Sequence, residues 1–140
     1  MKKVVTIVLA VLLAITFTGC GKDSMNDQME AWSRQYFDGL ISGDMDSAYE
    51  IVQNMISREE FRPIFEHYHA MLEGTDSYEL NQLGMNFNRS DGVTTYMVTF
   101  LMISDHGEYI IEITDVDNTE MPDDMVFGTR EELEPYLKPY

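Results

Sequence analysis

The spacing of apolar residues changes once along this chain, close to Gly74. Between residues 26 and 73, apolar side chains recur at steps of three and four in separate segments, which predicts amphipathic helices. In residues 77–117 they alternate with polar side chains or occupy both faces, which predicts β-strands. Helices followed by an antiparallel meander predict an α+β fold, in which N-terminal helices pack on one face of a curved sheet of three to four strands.

Local signals predict where the helices begin and end. The first helix is predicted over residues 26–42, with Gly43 ending it. The pattern S-x-x-E at residues 47–50 and again at residues 57–60 resembles the capping box that opens a helix. Pro63 lies inside the third helical segment. Because proline lacks an amide hydrogen, we expect either a kink there or a main segment that begins near it.

Three strands are predicted over residues 77–89, 93–104 and 107–117. The alternation of the first strand slips at Gly84, which indicates a bulge or bend. The sequence NRSDG between the first two strands predicts a hairpin turn. A short C-terminal helix is predicted to begin at Thr129, which stands three residues before a glutamate.

The N-terminus has the composition of a secretory signal. Two lysines precede an apolar run of about 14 residues, which is shorter than the roughly 20 that a membrane-spanning helix needs. The run ends in FTGC, and Thr18-Gly19-Cys20 resembles the lipobox of bacterial lipoproteins. In that family the cysteine is linked to diacylglycerol and becomes the mature N-terminus.

The lipobox resemblance implies an order of segments along the chain. Residues 1–19 would be the lipoprotein signal peptide, residues 20–25 a lipidated tether, and residues 26–140 a single α+β domain. Cys20 is the only cysteine, so no disulfide can form within the chain. The alternative is an uncleaved N-terminal anchor in which the cysteine has no role.

The charge of the chain restricts its partners. Its 25 acidic and 9 basic residues give a net charge of −16; loss of Lys2 and Lys3 with the signal would make the mature charge 7 minus 25, or −18. Such a surface disfavours nucleic acid and anionic lipid headgroups, so a lipid would have to supply the membrane attachment. Cationic peptides, basic protein patches and divalent ions remain possible partners. The simpler interpretation is that the charge keeps the domain soluble.

Candidate metal ligands do not reach a complete set. His67 and His69 are two residues apart and would point away from each other on a helix, while His69 and Glu73 would supply only two ligands to a zinc ion. Residues 115–124 are acidic but lack the glycine and glutamate spacing of an EF-hand, so we expect an acidic loop, with a weak calcium site of another kind as the alternative. The methionines could suggest Cu(I), but most fall on the apolar stripes and are expected in the core.

No nucleophile motif, glycine-rich phosphate loop or C-x-x-C pattern occurs in the chain. An acid–base pair remains as an alternative, formed by Asp115 and a tyrosine such as Tyr96 or Tyr109. Because nothing in the spacing selects these residues, we predict no catalytic residue, no metal and no cofactor.

The segment YFDGLISGDMDSAYEIV, residues 36–52, places an aromatic helix end before the dipeptides Gly-Asp and Ala-Tyr. This order resembles small bacterial lipoproteins that carry a cystatin-like, nuclear-transport-factor-2-like domain. The resemblance extends over most of residues 26–117 and implies a cone-shaped pocket, but it carries over no catalytic residue. We expect aromatic side chains to line such a pocket: Trp32, Tyr36, Tyr68, Tyr96 and Tyr109.

Together these features predict a lipoprotein anchored at the extracytoplasmic face of the cell membrane. We expect it to act as a non-catalytic binding module for a cell-envelope protein or a cationic peptide, and not to bind nucleic acid. The alternatives are a receptor for a small molecule or a metal ion, and an acid–base enzyme of the same fold. A filled interior with an exposed apolar patch would favour the protein partner, whereas a dry internal pocket would favour a small ligand.

Overall fold

A computed structural model of the chain describes residues 21–117 and 120–137. The predicted signal peptide and Cys20 lie outside the described residues. The elements follow in this order: α1 Gly21–Ser42, α2 Met45–Val52, α3 Arg58–Leu72, β1 Tyr78–Ser90, β2 Val93–Ser104, β3 Gly107–Val116, β4 Asp124–Thr129, α4 Arg130–Leu133 and a 3₁₀ turn Glu134–Tyr136.

The four strands form one antiparallel sheet in the order β1-β2-β3-β4. Cross-strand partners in the two central strands, such as Phe100 with Ile111 and Met102 with Tyr109, are buried in one core cluster with side chains of the helices. The helices therefore pack on a single face of the sheet, and the predicted α+β fold is confirmed. Among the described residues, no helix is long and apolar enough to cross a bilayer.

The predicted irregularities of the first hairpin are confirmed. The register between β1 and β2 shifts between Gln82 and Gly84, which is the position of the slip in alternation. The turn that follows places Asp91 at φ 54° and Gly92 at φ 80°, between the paired residues Ser90 and Val93. Two consecutive positive φ angles match the right-handed twist of the strands, and Asp-Gly adopts them at low cost.

One predicted helix boundary differs from the structure, whereas the predicted cap of the third helix is confirmed. Helix α1 begins at Gly21 rather than at residue 26, so the backbone of residues 21–25, expected as a tether, is helical. Met25 is buried and continues the spacing of Met29, which explains the extra turn. Helix α3 begins at Arg58 and runs through Pro63, because Ser57 and Glu60 cap it as predicted and Pro63 lies near its exposed start.

Helices α1 and α2 meet at Gly39, where the two backbones come close together. A Cβ atom on Gly39 would lie 2.9 Å from both the Ala48 nitrogen and the Asp44 oxygen. The amides of Gly43 and Asp44 donate to the Gly39 carbonyl at 3.0 and 2.9 Å, which ends α1. Asp44 then caps α2 by accepting from the Ser47 amide at 3.2 Å. The Gly-Asp and Ala-Tyr pattern is thus a turn followed by a close helix contact.

Helix α3 is attached to the end of α1 by a side chain. The Nδ1 atom of His69 donates to the carbonyl oxygen of Leu40 at 2.6 Å. That carbonyl belongs to the last turn of α1, where carbonyls lack helical partners. The imidazole also stacks on Phe65, with ring centroids 5.7 Å apart. His69 is therefore accounted for by its structural contacts.

We expect Gly39→Ala to lower the free energy of unfolding by about 2 kcal/mol, because two backbone atoms would have to move to admit the methyl group. The matched control is Gly92→Ala, whose methyl group would meet no atom within 4 Å and would carry only the strain of a positive φ, about 1 kcal/mol. Urea denaturation measures both. A Gly39→Ala variant as stable as Gly92→Ala would contradict the close contact.

Candidate functional site

A groove of about 450 Å³ opens between the α2–α3 helical pair and the edge strand β4. We call it the β4 groove. Its residues come from α1, the end of α2, the α2–α3 connection, α3 and β4. Most of them are apolar or aromatic: Tyr36, Val52, Met55, Ile56, Phe61, Ile64, Tyr68, Asp124, Met125 and Phe127. Its size lies within the range of ligand-binding clefts.

The aromatic floor of the groove is organised by Phe127. Its ring centroid lies 4.6 Å from Tyr68 and 5.0 Å from Tyr36, both with edge-to-face geometry. Phe127 also stacks on Tyr109 at 5.9 Å and meets the edge of Phe37 at 5.4 Å. These arrangements are the favourable ones for aromatic pairs. The aromatic floor is therefore already packed together without a ligand.

The opposite wall comes from the connection between α2 and α3. The hydroxyl of Tyr49 donates to the carbonyl oxygen of Ile56 at 3.0 Å, and the amides of Met55 and Ile56 donate to Val52. These bonds hold the connection in place. Ile64, which lies in α3 next to this connection along the groove, remains 38% exposed. The groove thus presents apolar surface to solvent on a fixed backbone.

The polar atoms of the groove are few. Burial raises the pKa of the Tyr36 hydroxyl, and burial together with the charge of Glu132 raises the pKa of Tyr68, so both hydroxyls stay protonated at neutral pH. Asp124 is exposed at the start of β4, and its Oδ1 atom accepts from the Met125 amide at 2.8 Å. Among the described residues of the lining there is no lysine or arginine, and the carboxylate of Asp124 supplies the formal charge.

The tryptophan and the four tyrosines expected to line one pocket do not share a site. Tyr36 and Tyr68 line the β4 groove. Trp32 is 4% exposed in the core, and Tyr96 packs against Phe87 with ring centroids 5.0 Å apart. Tyr109 stacks beneath Phe127 and lines a different depression. Helix α1 fills the inner face of the sheet, which is why the open space lies at the sheet edge.

The structure also shows where two other candidate residues lie, the possible metal ligand His67 and the possible acid–base residue Asp115. His67 packs edge-on against Tyr68, and within residues 21–117 and 120–137 no group of three histidine, cysteine or acidic side chains could hold a metal ion. Asp115 is fully buried and is the cross-strand partner of Tyr96. Neither residue lines the β4 groove.

Sequence reasoning missed strand β4 and therefore Phe127. The segment DMVFGT alternates Met125 and Phe127 with Asp124, Val126 and Gly128, and this alternation was the available signal. It covers only 6 residues between an acidic loop and a helix cap. Such a short run is ambiguous in isolation.

We expect Phe127→Ala to lower the free energy of unfolding by about 3 kcal/mol, because four aromatic neighbours would lose their contact. The neighbouring Val126 is 45% exposed, so Val126→Ala should change stability by about 0.5 kcal/mol or less. Urea denaturation compares the two variants. Equal effects would show that the aromatic floor does not stabilise the domain.

No protein-family model, curated protein or solved structure matches this chain. The functional argument therefore depends on the geometry of the described residues and on the patterns in the sequence.

Proposed function

We propose that the protein is a membrane-tethered extracytoplasmic lipoprotein that binds a protein or peptide of the cell envelope in the β4 groove, without catalysis. The observation that carries the proposal is the groove itself, an open apolar cleft with a packed aromatic floor. Exposed apolar surface of this kind favours a binding site over a solvated surface.

The position of the groove favours a peptide over a small molecule. Strand β4 lies at the end of the sheet and pairs with β3 as its neighbour. An edge strand offers backbone amide and carbonyl groups to an added strand, and adjacent pockets then select its side chains. The inner face of the sheet, where a cone-shaped pocket would enclose a small ligand, is filled by buried side chains of α1 such as Met29 and Phe37.

A small-molecule receptor remains the second candidate, because the volume of about 450 Å³ also suits a ligand of that class. Thermal unfolding of the protein against a panel of metabolites, calcium and copper separates the two candidates. Stabilisation by several degrees with a single low-molecular-weight compound would favour the receptor.

The anchor is proposed from the sequence around Cys20. Since α1 begins at Gly21, the acylated residue would adjoin the first turn of the domain, and the domain would lie close to the bilayer. Two acyl chains hold a protein at a membrane through about 0.8 kcal/mol for each buried CH₂ group. The acidic surface would then face cationic segments of neighbouring envelope proteins.

We expect the native product to begin at Cys20 with the mass of a diacylglycerol adduct, because the thioether is the attachment site. Intact-mass spectrometry of protein purified from membranes tests this. Cys20→Ala should leave the adduct absent, and the control Ser24→Ala should retain it. A free thiol at position 20, or an intact initiating methionine, would contradict the anchor.

The groove is tested by photo-crosslinking in intact cells. A photoreactive residue at Ile64, which lies in the groove, should give an adduct with an envelope protein or peptide, because Ile64 is exposed there. The control places the same photoreactive residue at Glu66, which is exposed, lies two positions further along α3 and does not line the groove.

The second arm of the experiment checks that the adduct depends on the groove. Met55→Asp should reduce the Ile64 adduct at least about tenfold, since a charge in an apolar site opposes burial of an apolar ligand group. Val93→Asp changes an exposed apolar residue at the start of β2, outside the lining, and should leave the adduct unchanged. Equal adducts from Ile64 and Glu66 would contradict the proposed function.

A further inference from the structure

We propose that the occupant of the β4 groove is a peptide segment in which an apolar residue is followed or preceded directly by lysine or arginine. The apolar side chain lies on the aromatic floor, and the cation contacts the carboxylate of Asp124. This inference rests on the proposed function and specifies the peptide that the groove accepts.

The apolar half of the segment is required by the lining. Phe127, Tyr68 and Ile64 offer two ring surfaces and an exposed aliphatic group in one continuous cleft. Met55 and Met125 border the same space with flexible thioether side chains, which adapt to apolar groups of different shape. A leucine-sized or aromatic side chain removes this surface from water, which contributes roughly 25 cal/mol for each Å² buried.

The cationic half is required by charge. Asp124 stands at the groove with Oδ1 held by the Met125 amide, and no ion pair joins it to another described residue. A carboxylate accepts about four hydrogen bonds, so capacity remains for an ammonium or guanidinium group. The chain as a whole carries a charge of −16, which acts in the same direction.

The two halves must be adjacent because of the strand register. In β4, Met125 and Phe127 pair with Ile113 and Ile111, whose side chains lie on the face of the sheet that the helices cover. Asp124 precedes Met125 by one residue and pairs with Thr114. Successive side chains of a strand point to opposite faces. A peptide lying along β4 that directs one side chain into the groove therefore directs the next toward the side of Asp124.

The test measures fluorescence anisotropy of labelled hexapeptides with the full chain. Three probes differ at the central pair: Ala-Thr-Leu-Lys-Thr-Ala, Ala-Thr-Leu-Glu-Thr-Ala and Ala-Thr-Ser-Lys-Thr-Ala. We expect the Leu-Lys probe to bind about tenfold more tightly than either of the others, because only it supplies both contacts. Its affinity should fall as salt is raised.

The role of Asp124 is tested by Asp124→Asn, which keeps the oxygen that accepts from Met125 and removes the charge. We expect the preference for Leu-Lys over Leu-Glu to fall to about twofold. Asp105→Asn, at an exposed position in the β2–β3 turn, should leave the preference unchanged. Thermal unfolding of each variant confirms that it is folded.

Different results overturn the inference in distinguishable ways. Equal binding of both leucine probes would refute the cation contact and leave the groove as a peptide site, provided that the Ile64 adduct forms. A second result would be equal binding of the Leu-Lys and Ser-Lys probes, with both affinities lowered to the same extent by Asp124→Asn and by Asp105→Asn. That result would show general attraction of cations to an acidic surface and would refute a selective site. Absence of binding by all three probes would also refute the peptide class. The proposed function is judged separately, by whether an adduct forms at Ile64 and not at Glu66.

Discussion

Helix α1 and the inner face of the sheet bury each other, and the remaining elements are arranged around that contact. Met29, Phe37 and Leu40 of α1 are inaccessible to solvent and belong to the same cluster as Phe100 and Ile111 of the central strands. Burial of large apolar side chains is the dominant favourable contribution to a domain of this size. Among the residues that the structure describes, side chains of α1 occupy the space over the sheet where a cone-shaped pocket would lie. The accessible cleft is displaced to the edge at β4.

The position of α2 and α3 follows from two close contacts with α1. Gly39 lets the backbone of Ala48 approach, and His69 bonds to the carbonyl of Leu40. These contacts orient the helical pair so that its connection faces β4 across the groove. Because Tyr49 bonds to Ile56 within that connection, the groove wall is part of the packed domain. A preformed cleft of this kind loses little conformational entropy when it binds a ligand.

The distribution of charge complements this architecture. Several arginines are paired with carboxylates of the chain itself: Arg34 with Glu30, Arg58 with Asp46, and Arg130 with Glu108 and Glu134. Such exposed pairs contribute little to stability, but they neutralise basic groups locally. The excess of acidic residues is therefore available to external cations. The proposed peptide uses this excess at Asp124, where the carboxylate meets an apolar cleft.

Local patterns in the sequence determined the features that depend on neighbouring residues. The caps at Ser57 and Thr129, the slip at Gly84 and the Asp-Gly turn were all predictable, because each involves hydrogen bonds or backbone angles within a few residues. The change of apolar spacing near Gly74 likewise determined the α+β class, since helices and strands bury faces of different period.

Only the tertiary structure decided which aromatic residues share a site. The rings of Phe127 and Tyr36 are in contact although the two residues are far apart in the sequence. This contact depends on how the helices pack against the sheet, and the spacing of residues along the chain does not specify that packing.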